Sequence, residues 1–214
     1  MSMSADNKFL TLKWEDIENA VAAISEKIIE SNFNPNVVVG ILRGGWIPAR
    51  IFADFLGIKD IGAIEIKFYK GIEEKMERPV ITQPLVLDIR NKNVLLVDDV
   101  ADSGKSLQTA LSAINFYGPK NLKTVSLYVK PWSVIIPDYY YGETDKWIVF
   151  PWEKRETIEA LVQAEYKIIS RATIDVEKIS KEFSDKLGLS YEEVKRIITL
   201  IISERSFFNP ETIH

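Results

Sequence analysis

Hydrophobic residues recur along this chain with two different periods, and the period switches repeatedly. Ile17, Val21, Ile24 and Ile28 fall at three- and four-residue steps. Residues 14–31 therefore predict an amphipathic helix, which Asn34-Pro35-Asn36 ends. Unbroken apolar runs at 37–41 and 94–97 predict buried strands, and residues 61–68, 80–88, 124–129 and 147–150 predict four more. A helix over 46–56 has Pro48 near its start and Gly57 just past its end. Another over 106–117 turns Leu107, Ala110, Leu111 and Ile114 inward and closes at Gly118-Pro119. The charged stretch 69–79, with Gly71 and Pro79, predicts a mobile loop. Strands alternating with helices predict an α/β fold built on a parallel sheet.

The pattern changes near Glu153. Strand signals stop and helical periodicity takes over, predicting helices at 157–170, 175–187 and 190–205. Gly188 closes the second, and Ser190 with Glu193 forms a capping box for the third. The organisation expected is an α/β core with a small hood over 1–153 and an all-helical C-terminal extension over 154–214.

Composition narrows the chemistry. The chain has 214 residues, 46% of them hydrophobic, enough for one α/β core and an appendage. It has no cysteine, and its single histidine is His214, the last residue. A disulfide framework, a cysteine nucleophile, a histidine base and thiolate or imidazole metal sites are thereby excluded. Carboxylates, Lys, Arg, hydroxyls and backbone amides remain, and with them only a hard, oxygen-bound metal such as Mg²⁺. The net charge of −4 disfavours nucleic acid and anionic membranes as partners. No apolar stretch reaches membrane-spanning length and no signal peptide is evident, so a cytoplasmic location is expected.

The segment 94–107 carries the most information. Its apolar run ends in two adjacent carboxylates, Asp98 and Asp99, followed by the turn Ala101-Asp102-Ser103-Gly104-Lys105-Ser106 and a helix. Ligands of open α/β sheets bind beyond the carboxyl ends of strands, and a helix N-terminus favours a phosphate. The pair of acids suits hydroxyls or a metal, and the turn suits a phosphate; a ribose 5-phosphate carries both complements. Gly104-Lys105-Ser106 spells the end of a nucleotide-triphosphate loop, but that motif needs Gly where Asp99 stands. No G-x-G-x-x-G is present. Arg43-Gly44-Gly45 is a second turn between a strand and a helix, which serves either an anion or plain geometry. Asp102 can be a helix N-cap or a proton-handling carboxyl, and Lys130 a solvated strand end or a ligand donor.

The acid pair and its turn resemble the phosphoribosyl pyrophosphate (PRPP) motif of the type I phosphoribosyltransferases. The resemblance extends over Lys13-Trp14, 40–50, Lys130-Pro131 and 147–153, and is closest to the xanthine–guanine and archaeal 6-oxopurine enzymes. It implies a Rossmann-like sheet flanked by helices, and transfer of ribose 5-phosphate from PRPP to a purine, with Mg²⁺ as cofactor. By this resemblance Asp98 and Asp99 hold the ribose hydroxyls, and Ala101, Asp102, Ser103, Gly104, Lys105 and Ser106 the 5′-phosphate. Arg43 and Gly44 hold pyrophosphate. Asp102 faces the purine N7, Lys130 donates to O6, Trp147 stacks on the base and Ile148 offers main-chain groups to its edge. Tyr69 belongs to a lid. Asp98, Asp99 and Glu153 are the metal candidates, Glu153 standing where relatives often have Asp. A homodimer is expected on the same ground.

Three departures stand out. The lid pair of relatives is here Phe68-Tyr69, Trp46 is bulky after the double glycine, and the helical tail is additional. They leave adenine as an alternative base. A purine- or PRPP-sensing regulator is the other alternative, since the spacing within 175–205 superficially matches a helix-turn-helix. Residues 154–214 hold ten Lys/Arg against eleven Asp/Glu, and Glu192 and Glu193 open the would-be reading helix, opposite to what a DNA-reading face requires.

Overall fold

Val37, Val38 and Val39 are wholly buried, as are Val94 to Val97, because these two strands lie side by side at the centre of a sheet covered on both faces. The computed structural model describes residues 8–70, 77–165 and 175–204. In chain order the elements are β1 (Phe9–Thr11), α1 (Trp14–Glu30), β2 (Val37–Leu42), α2 (Trp46–Phe55), β3 (Asp60–Lys70), β4 (Glu77–Gln83), β5 (Asn93–Ala101), α3 (Lys105–Asn115), β6 (Asn121–Val129), β7 (Tyr139–Glu143), β8 (Trp147–Val149), α4 (Lys154–Glu165), α5 (Val176–Leu187) and α6 (Tyr191–Glu204). They form two compact units, residues 15–145 and residues 1–14 with 146–214.

The first unit holds a six-stranded sheet in the order β4-β3-β2-β5-β6-β7. The sheet is parallel as expected, except that β4 runs antiparallel to β3 at the edge. The described residues of the predicted loop 69–79, namely 69–70 and 77–79, are strand as well. Phe68 pairs with Pro79 and Tyr69 with Arg78, and residues 71–76, Gly71 among them, lie outside the described residues. Charge and a proline concealed this strand, yet both suit an edge, where proline is tolerated and charge discourages further pairing. The strand expected over 80–88 stops at Gln83, before Pro84. β7 went unread because its run Tyr139-Tyr140-Tyr141-Gly142-Glu143 follows Pro137-Asp138 and lacks an aliphatic core pattern. Asp138 anchors it: its carboxylate accepts from Lys123 Nζ (2.7 Å) and from the Thr124 backbone N–H and hydroxyl (both 2.8 Å).

The second unit is built on β1 and β8, which pair with each other in parallel, Phe9 opposite Trp147 and Leu10 opposite Ile148. Residues 147–150 therefore do not extend the large sheet, as their apolar run had suggested; a three-residue strand finds its partner in the equally short and unpredicted β1. Three helices pack with them around Phe183, Ile158, Val194 and Ile198. Asp175 caps α5 by accepting from Lys178 N–H, and Gly188 ends it at φ 65°. Half of the predicted capping box forms: Ser190 Oγ accepts from Glu193 N–H, while the Glu193 carboxylate turns to Lys154 Nζ at 2.8 Å. α4 starts at Lys154, earlier than expected, and its predicted continuation over 166–170 lies outside the described residues, as does His214.

Candidate active site

β5 carries its buried run to its end, so Asp98 and Asp99 are taken below the surface with it, 8% and 7% exposed. Buried carboxylates require donors. Asp98 Oδ1 accepts from Asp99 N–H at 3.1 Å, and Asp99 Oδ1 from Val100 N–H at 2.9 Å.

The turn after β2 lies directly on this pair. A β-carbon at Gly44 would stand 1.8 Å from Asp99 Oδ2, and one at Gly45 would be 2.8 Å from Asp98 Cα and 2.6 Å from the Val97 carbonyl oxygen. The two glycines are thus required by close approach. The Leu42–Arg43 peptide bond is cis, and Arg43 is exposed. Glu65, level with Leu42 on β3, has its carboxyl held below its ordinary range by the Thr82 hydroxyl and Lys67, with a smaller contribution from Arg43.

Past β5 the chain enters the turn 101–104. Gly104, at φ 76°, is the N-cap of α3 and has no side chain to cap it with. The N-cap reading of Asp102 is therefore set aside. Its carboxylate Oδ1 instead accepts from the indole N–H of Trp132 at 2.9 Å. Ser103 Oγ accepts from Lys105 N–H at 3.4 Å. Ser106 and Leu107 follow in the first turn of α3, whose leading amides lack helical acceptors. A β-carbon at Gly104 would meet Ser133 Oγ at 2.6 Å, so the segment after β6 backs this turn closely.

Lys130 begins that segment. It is 7% exposed, and its ammonium lies 5.6 Å from the centre of the Trp132 ring. Burial pushes its pKa down, against the upward pull of Asp102 and Asp145. The reading as a solvated strand end does not hold.

Arg43, Gly44, Asp98, Asp99, the turn 101–106 and Lys130 thus gather in one unit, at the carboxyl ends of β2, β5 and β6, where an open α/β sheet binds ligands. Tyr69 belongs to the same unit but sits on the β3–β4 hairpin, exposed, in a strand. Trp147, Ile148 and Glu153 belong to the other unit. Trp147 is exposed on β8, Ile148 is buried, and Glu153 stands in the turn before α4, its N–H donating to the Phe150 carbonyl at 3.1 Å. Among the described residues no three carboxylates or histidines cluster as a metal cage. The sequence reading missed Trp132; its one signal was adjacency to Lys130-Pro131.

The phosphoribosyl transferase domain family matches residues 12–156. The chain is 31% identical over 189 residues to the hypoxanthine-guanine phosphoribosyltransferase of Schizosaccharomyces pombe, covering 70% of this chain and 91% of that protein. It is 27% identical over 147 residues to the xanthine-guanine phosphoribosyltransferase of Gluconobacter oxydans, covering 68% and 84%. The crystal structure of a purine phosphoribosyltransferase from Pyrococcus horikoshii superposes with a TM-score of 0.62 at 41% identity, covering 68% of this chain and 93% of that one. A paired-acid strand end with a glycine-built turn on either side, matched over two thirds of the chain, makes this protein a member of the phosphoribosyl transferase domain family.

Proposed function

We propose that the protein transfers the 5-phosphoribosyl group from PRPP to a ring nitrogen of a 6-oxopurine, releasing pyrophosphate. The observation that carries this reading is the Asp98–Asp99 pair with Gly44 packed on it and the turn 101–106 beside it. The bond from ribose C1 to pyrophosphate breaks and a C1–N bond to the base forms, with inversion. Asp98 and Asp99 hold the ribose hydroxyls, which a carboxylate accepts from readily. Ala101 to Ser106 cradle the 5′-phosphate with backbone N–H groups and the opening of α3. Arg43 and the Gly44 backbone receive the leaving pyrophosphate. Asp102 Oδ2 faces N7 and takes or shares its proton as the glycosidic bond forms. Lys130 donates to O6. Tyr69 serves the lid that keeps water from the sugar.

The residues fit Mg²⁺ of one kind. The donors are hard carboxylate oxygens, and with no three-carboxylate cage among the described residues the ion would be held by Asp98, Asp99 and the oxygens of PRPP itself. When bound, Mg²⁺ supplies charge neutralisation for the pyrophosphate. We read the protein as a cytoplasmic homodimer that needs neither nucleic acid nor membrane; among the described residues no helix is long and apolar enough to cross one.

Relatives named for hypoxanthine, guanine and xanthine support the oxo-base assignment. The test incubates the protein with PRPP, Mg²⁺ and each base and looks for the nucleoside monophosphate, with and without EDTA. Metal-dependent nucleotide is expected. PRPP binding without nucleotide from any purine base overturns the enzyme reading in favour of a sensor.

A further inference from the structure

The turn after β5 and the segment after β6 are laced together at alternate residues. Lys130 N–H donates to the Ala101 carbonyl at 3.0 Å, Trp132 Nε1–H to the Asp102 carboxylate at 2.9 Å, and Val134 N–H to the Ser103 carbonyl at 3.2 Å. The two outer bonds are backbone to backbone and persist whatever side chains stand there. Only the middle one depends on side-chain identity. It grips the carboxylate to which the reaction above assigns a proton.

Trp132 is 55% exposed, so burial does not explain an indole at this position. Its polar atom does: indole nitrogen is a donor only, and it meets the one group in the turn that is an acceptor only when ionised. The bond occupies Asp102 Oδ1 and leaves Oδ2 for a ligand. The ring face is turned to the Lys130 ammonium. One side chain therefore touches two of the residues assigned to the base, Asp102 and Lys130, and all three lie in one compact unit. Without the indole, an exposed aspartate in a turn samples several rotamers. A proton-handling group pays for such sampling in rate, because the oxygen is in place only part of the time.

We propose that Trp132 is a positioning residue for the transfer reaction. Its indole N–H fixes the Asp102 rotamer so that Oδ2 faces the purine, and its ring holds the Lys130 ammonium next to the same base edge. This rests on the purine-transferase reading.

Trp132→Phe keeps a ring over Lys130 and deletes the N–H; its exposed position lets the variant fold, which a thermal melt verifies. The expected result is a loss in kcat of about tenfold, the scale of one hydrogen bond to a charged group. The KM for PRPP and the melting temperature stay unchanged. The decisive comparison is the same substitution in an Asp102→Ala background. If Trp132 acts through Asp102, it costs nothing further there. A kcat within twofold of wild type for Trp132→Phe overturns the proposal, as does an equal tenfold loss in both backgrounds. A wild-type protein that turns over no purine base overturns the transferase reading itself, and this one with it.

Discussion

Gly44 lies hard against the Asp99 carboxylate: a β-carbon on the glycine would lie 1.8 Å from Asp99 Oδ2. The obstacle is the free end of a side chain, so Gly44→Ala folds by pushing the carboxylate aside. We expect its kcat/KM for PRPP to fall by about 10²-fold, the usual consequence of displacing a positioned group by an ångström, with a small change in melting temperature. Gly45 is the contrast. Its added carbon would meet backbone, Val97 O at 2.6 Å and Ile41 O at 2.8 Å. Gly45→Ala therefore loses stability, by about 1–3 kcal/mol. Steady-state kinetics and chemical denaturation on the two variants separate these outcomes.

Asp102 is exposed in its turn and caps no helix. Asp102→Ala is expected to lower kcat by about 10²-fold, the scale of general acid–base catalysis, without altering stability. A rate equal to wild type would leave the residue without a chemical role.

Lys130 gives a sharper separation of function from stability. Burial lowers its pKa, so the fold holds the charged form at a cost. Replacement by an apolar residue of similar length relieves that cost. Lys130→Met should melt at or above the wild-type temperature while losing at least about tenfold in kcat/KM for an O6-bearing base, because a donor matched to a substrate acceptor is gone. Equal loss on adenine would remove the residue's discriminating role.

Asp138 links stability to pH. Burial pushes its carboxyl up, but the hydrogen bonds from Lys123 and Thr124 outweigh burial and hold it below its ordinary value of 3.8. A depressed carboxyl stabilises the fold above its unfolded pKa, and that contribution is lost as pH falls through the lower folded value. Asp138→Ala should cost about 1.5 kcal/mol at pH 7, the worth of a charged hydrogen bond. The gap to wild type should close as pH drops below about 4. Urea titrations at several pH values read this directly.

The helical unit has its own core. Phe183 is fully buried against Ile158, Ile179, Val194 and Ile198. Phe183→Ala is expected to destabilise by about 3–5 kcal/mol, visible as an early loss of helical circular dichroism on heating.

How much of this was legible depends on what each residue answers to. Asp98, Asp99 and Gly104 were readable because local chemistry dictates them: an apolar strand must end somewhere, and φ 76° favours glycine. The three C-terminal helices were readable from periodicity and from Gly188. What was not legible answers to distant partners. β1 went unread, and β8, read as a strand, was not assigned its partner, because the two pair with each other across 138 positions, Phe9 to Trp147. The first three residues of β4, 77–79, look like a loop because an edge strand tolerates the charge and proline that a central strand rejects. Trp132 reaches Asp102 across 30 positions through a single side-chain bond, which leaves no periodic trace.

The measurement that bears most directly on the central claim is a set of initial rates with PRPP and Mg²⁺ on hypoxanthine, guanine, xanthine and adenine, followed by pyrophosphate release. The account predicts a kcat/KM at least about tenfold higher on one or more of the oxo-bases than on adenine, a ratio of the size that one matched polar contact produces. Turnover of adenine alone, with the oxo-bases inert, would contradict it and would place Lys130 with Trp132 rather than with the substrate.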